Sequence, residues 1–136
     1  VATRQTRTRA RFVVAVLVAF GAYSVVLGLL MMCWPGVFFD TLGGFGVRND
    51  HFIFDVAAFE LPLGLLLLAA VRLLTWRVPA LAFATLHWAL HVLSHSIDTD
   101  HAHGAAIGLL ELAGLAVGTA LLGMALRYSI TPATHR

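Results

Sequence analysis

Uncharged and mostly apolar residues run without interruption through positions 12–39. Three more apolar stretches follow at 52–71, 78–95 and 104–126, divided by segments holding Pro, Gly, Asp, Arg and His. A helix needs about 20 apolar residues to cross a hydrocarbon core of roughly 30 Å, and each stretch is about long enough. The period-two alternation of a barrel strand is absent. Helices satisfy their own backbone groups in lipid, so the pattern predicts an all-α, polytopic membrane protein. It is a four-transmembrane-helix bundle forming a single domain, with spans near 12–34, 51–72, 78–96 and 104–127.

Composition agrees with that reading. The 136 residues are 60% hydrophobic and only 12% charged, with a mean hydropathy of +0.87, and four spans leave no length for a soluble domain. The basic opening VATRQTRTRAR has the charge of a signal peptide, but the apolar run behind it is too long, so it is expected to be a retained first span.

Positive charge then sets the orientation. Arg4, Arg7, Arg9, Arg11, Arg72, Arg77, Arg127 and Arg136 fall on one side of a four-span chain and only Arg48 on the other. This predicts a multi-pass protein of the inner (plasma) membrane with both termini cytoplasmic. The net charge of +2 reflects the same asymmetry, and the basic N-terminus is expected to meet lipid headgroups, with no nucleic-acid partner. Trp34, Phe38, Phe39 and Phe45 would form the outer aromatic belt, Trp76 and Tyr128 the inner one.

Small residues four apart occur at Gly104 and Gly108, Gly114 and Gly118, Ala15 and Ala19, and Ser24 and Gly28. They let backbones approach closely, within the chain, in a homo-oligomer or against a membrane-protein partner. Pro62 removes a backbone donor inside the second span and is expected to kink it.

The polar chemistry gathers at one end. Five of the seven histidines lie within positions 87–103. His87, His91 and His95 form one stripe that Asp98 nearly extends; His51 and Asp55 share a face, as do His103 and Glu111. At 1.5 Å per residue, His51, His95 and His103 form an outer layer, with Asp55 and His91 about 6 Å below it. Glu60, His87 and Glu111 then lie roughly 12–14 Å in. Glu60 is about 140° from Asp55 on its helix, so the kink at Pro62 would have to turn it inward for both to share a pocket.

Ionisable groups within spans are costly and face a bundle interior. Imidazole with carboxylate suits zinc or iron, and imidazole with sulfur suits copper. Haem would need histidines on facing helices, such as His51 with His91 or His95. The leading expectation is a transition metal or haem bound by His51, Asp55, His87, His91 and His95. Glu60, Asp98, His103 and Glu111 would complete the polar pocket. Met31, Met32 and Cys33 are read as filler, and the lone cysteine has no internal disulfide partner.

Two other readings stand beside it. One is a small transporter or lipid-modifying protein in which Glu60, His87 and Glu111 transfer protons. The other is a structural or accessory subunit whose stripe fixes helix register. No Walker loop, nucleophile elbow, C-x-x-C pair or dinucleotide fingerprint is present, and no catalytic set can be assembled.

At RNDHFIFDVAAFELPLGLLLLAA and LHWALHVLSHSID the chain resembles small four-helix bacterial inner-membrane proteins of uncharacterised function. In these an N-x-H-F-x-x-D segment opens the second helix, and an L-H-x-x-x-H segment followed by Asp closes the third. Asn49, His51, Phe52, Asp55, His87, His91 and Asp98 match, and His95 is extra. The resemblance implies the four-helix architecture and no activity.

Overall fold

The computed structural model describes residues 4–44, 46–97 and 105–131, with the side chains at 105 and 106 outside the description. Among the described residues there is no strand. The helices are α1 (Arg4–Cys33), α2 (Pro35–Thr41), α3 (Asp50–Arg72), α4 (Arg77–Ile97) and α5 (Ala105–Ile130), with a single 3-10 turn, Leu74–Trp76, between α3 and α4.

Local chemistry sets the boundaries. From Arg4, the first described residue, α1 runs through the basic segment because Arg and Gln favour helix and nothing there interrupts it. Pro35 lacks the N–H that would continue α1, yet suits the first turn of a new helix, so α2 follows at once. Asn49 caps α3, its Oδ1 accepting from the Phe52 N–H at 3.2 Å. Replacing Asn49 with Ala should lower stability by about 1 kcal/mol, read from thermal unfolding in detergent. α3 runs on through Pro62 without a break. At its far end Arg77 donates from Nε to the Ala70 carbonyl (3.1 Å) and from Nη2 to that of Val71 (2.9 Å), satisfying acceptors that the helix end leaves open.

α1, α3 and α5 are long and apolar enough to cross a membrane. α4 has 21 residues but is not among them, since His87, His91 and His95 dilute its apolar character. The four evenly matched spans read from the sequence are thus three apolar helices and one histidine-bearing helix.

These four helices alternate in direction, as the contacts Gly28–Leu61, Ala70–Arg77, Gly118–Trp88 and Phe12–Tyr128 require. α1 packs closest to α3 because neither backbone carries a side chain where they cross. A Cβ on Gly64 would stand 2.6 Å from the Val25 nitrogen and 2.7 Å from the Gly21 carbonyl oxygen. The space at Gly118 is filled by the Trp88 ring, while nothing lies within 4 Å of a Cβ placed on Gly114.

The bundle is unequal along its length. In the half holding the N-terminus of α1, all four helices share an apolar core that includes Leu17, Leu67, Leu81 and Leu122. Toward the α2 end a separate, smaller core of Met31, Ile53 and Ala57 joins only α1, α2 and α3. Among the described residues none from α4 or α5 enters it, and at that end His91, Leu93, Leu109 and Leu110 are exposed. The two helix pairs therefore share a core below and part above.

Candidate functional site

Ile53, Ala57, Glu60, Gly64 and Leu67 recur at spacings of three and four and are the buried stripe of α3. That register carries a carboxylate into the interior: Glu60 is 5% exposed. On α4 the i, i+4 spacing places His87, His91 and His95 in one line, and His87 meets Glu60 where the two helix pairs begin to part.

The contacts run end to end. His87 Nε2 lies 2.9 Å from Glu60 Oε1, with the Phe59 ring against the imidazole at 5.2 Å between centroids. The His87 and His91 rings are edge-on at 6.0 Å. His91 Nε2 and His95 Nε2 are 3.1 Å apart, so one donates and the other accepts. His95 Nδ1 then faces Glu111 Oε2 at 3.7 Å. A neutral His95 protonated on Nδ1 fits both neighbours: it accepts from His91 on Nε2 and presents an N–H to Glu111. Two carboxylates thus bracket three imidazoles from α3 through α4 to α5.

α1 closes the buried end. The Ser24 hydroxyl, 1% exposed, stands beside the Glu60 carboxyl, yet Ser24 Oγ and Glu60 Oε2 each lack a hydrogen-bond partner among the described residues. Tyr23 lies within electrostatic reach of both Glu60 and Glu111 and packs edge-on to Trp88 at 5.8 Å.

The metal site expected from the sequence is not assembled among the described residues. Among the described residues no three His, Cys, Asp or Glu side chains are grouped to hold a metal ion. His51 and Asp55 are 3.7 Å from each other, with side chains 88% and 66% exposed. The cause is helical phase. With about 140° between Asp55 and Glu60, burying one turns the other outward, and Glu60 is the one buried. Met31 lies in the smaller core, Met32 and Cys33 are exposed, and none approaches the histidines as a ligand set. Asp98 and His103 lie outside the described residues.

Glu60 and His87 were expected at equal depth, and they meet. Glu111 was expected about two turns below His95, but α5 is offset along α4 so that the two groups come level. Ser24 and Tyr23 were not singled out for chemistry. The signal for Ser24 was its place between Gly21 and Gly28 on the face of α1 that meets α3.

Near the α2 end Arg48 grips Asp50 through Nε (2.6 Å) and Nη2 (3.0 Å). That hydrogen bonding holds the guanidinium above even its usual high range, but the pair is exposed to solvent and adds little stability.

No protein-family model, curated protein or solved structure shows significant similarity to the chain.

Proposed function

We propose that the chain is a small inner-membrane protein in which α4 crosses alongside the three more apolar helices, both termini are cytoplasmic, and the working chemistry is proton transfer between Glu111 and Glu60 through His95, His91 and His87. It would serve as the proton-handling part of a small transporter or lipid-modifying protein. The arginine distribution supports the topology.

The observation that carries the reading is the succession of titratable groups from a partly exposed carboxylate to a buried one, with direct contacts at Glu60–His87 and His91–His95. Imidazole binds a proton on one nitrogen and releases it from the other, so histidines in series suit this task. A metal site needs ligands that converge on a point, and these are strung along a line. A purely structural stripe would not explain carboxylates at both ends, since ionisable groups inside spans are retained for function by default.

The test is infrared difference spectroscopy of the protein in nanodiscs, where both faces meet one bath. A pH jump should produce a protonated-carboxyl band that Glu60→Gln removes. His87→Gln should leave that band but slow its appearance by an order of magnitude or more, as general acid–base groups contribute about 10²–10⁴-fold to proton-transfer rates. A Glu60 that never changes protonation, or does so equally fast without His87, refutes the proposal.

A further inference from the structure

We infer that the relay opens at the α2 end alone, so that Glu60 gains and loses its proton through Glu111 and the histidines and has no path to the opposite face in this conformation. The inference rests on the proton-transfer reading and adds to it the direction of access.

Three observations carry it. First, the two sides of Glu60 differ in kind. Toward the α2 end the helix pairs part and the polar succession reaches Glu111, whose side chain is 32% exposed. Toward the other end lies the core shared by all four helices, with Leu17, Leu63, Leu67, Leu81 and Leu122 all 2% exposed or less. Second, the Thr and Ser hydroxyls of α4 and α5 at the level of Glu60 and beyond it are already engaged locally. The hydroxyls of Thr85, Thr119 and Ser129 donate to carbonyls of their own helices, and Arg77 is held by the end of α3. Among the described residues they form no onward succession. Third, Ser24 Oγ and Glu60 Oε2 are both buried and both unpartnered. The Ser24 hydroxyl beside the Glu60 carboxyl is a resting place for a proton, since a carboxyl O–H turned toward it would donate to the hydroxyl.

The groups facing Glu60 from the elements around it are Ser24 and Tyr23 on α1 and His87 and His91 on α4, and Glu111 on α5 lies within electrostatic reach of Tyr23 as Glu60 does. Each transfer breaks one bond to hydrogen and forms one. An outward transfer from Glu60 to Glu111 runs from the tautomers described above and leaves them inverted, with His95 and His87 protonated on Nε2 and His91 on Nδ1. On the return the proton leaves Glu111 Oε2 for His95 Nδ1, as His95 releases one from Nε2 to His91 Nε2. His91 then gives its Nδ1 proton to His87 Nδ1, with ring rotation or a water closing the 6.0 Å between centroids. His87 releases a proton from Nε2 to Glu60 Oε1, and rotation of the carboxyl group presents that O–H to Ser24.

Sidedness can be read with the full chain in vesicles. Cys33 is the sole cysteine, is exposed, and ends α1 at the α2 end. A membrane-impermeant biotin-maleimide therefore marks the molecules whose α2 end faces the bath and lets them be captured apart from the rest. A hydrophobic carbodiimide modifies protonated carboxyls, and peptide mass spectrometry locates its adduct on Glu60. With bath and lumen buffered at different pH, the adduct in captured molecules should follow the bath, falling about tenfold per pH unit above its midpoint, and should ignore the lumen. In uncaptured molecules it should follow the lumen. A response of either population to the pH on both sides, or on the side away from Cys33, overturns one-sided access. The nanodisc experiment fails separately, because there a Glu60 that exchanges no proton is silent whatever its route.

Discussion

Replacing His87 with Leu should destabilise the folded protein by about 3–5 kcal/mol, the range found when one partner of a buried pair is removed. The Glu60 side chain is 7% exposed and uses Oε1 on His87 Nε2, while Oε2 has no partner. Without the imidazole, Glu60 must stay charged in an apolar surround or take up a proton that bonds Ser24 while Oε1 loses its partner. Glu60→Leu should cost less, about 1–3 kcal/mol, because the histidine left behind can be neutral and is itself 21% exposed. The double variant, Leu at both positions, should recover most of the loss, since apolar groups packed together in place of a buried ionic pair are often neutral or stabilising. Unfolding in mixed micelles measures all four states as a double-mutant cycle. Additive losses would mean the two groups do not depend on each other.

A second large effect is expected at the crossing of α1 and α3. A leucine at position 64 would press its Cβ onto the Val25 nitrogen and the Gly21 carbonyl oxygen, which are backbone atoms that cannot rotate aside. The helices would have to separate, loosening Leu17 and Leu67 and shifting Ser24 away from Glu60. A loss near the top of the overpacking range, about 3 kcal/mol, should follow in thermal unfolding. Gly114→Leu, on an open face of α5, provides the contrast and should change stability by no more than about 0.5 kcal/mol.

Most of the helices could be read from the sequence because long apolar runs bounded by Pro, Asn and Arg leave few alternatives. α2 could not, since a proline at the end of an apolar run reads as a stop, and here it also starts a new turn. The histidine stripe was legible because spacing within one helix fixes which side chains share a face. Its partners were harder to find. α3 carries polar groups on two faces, and choosing which one turns inward depends on how it meets α1. The stripe Ile53, Ala57, Glu60, Gly64 and Leu67 held that information, but Asp55 and His51 competed with it by their chemistry. Favouring the more metal-like face put His51 and Asp55 into a pocket they do not line. The offset of α5 along α4 is a matter of packing between helices, to which residue counting along one chain is blind.

The clasp of Arg77 on the last carbonyls of α3 bears on how the chain is made. As the polypeptide emerges from the ribosome, α3 is complete before α4, and the clasp together with the carboxylate at position 60 offers the later segment both a fixed turn and a ready mate for its imidazole. The helical hairpin would then be the unit that partitions into the bilayer, the more hydrophobic arm carrying the less hydrophobic one. In a glycosylation-mapping assay of translocon insertion, α4 presented by itself should stay largely in the aqueous phase, and the same segment behind α3 should enter.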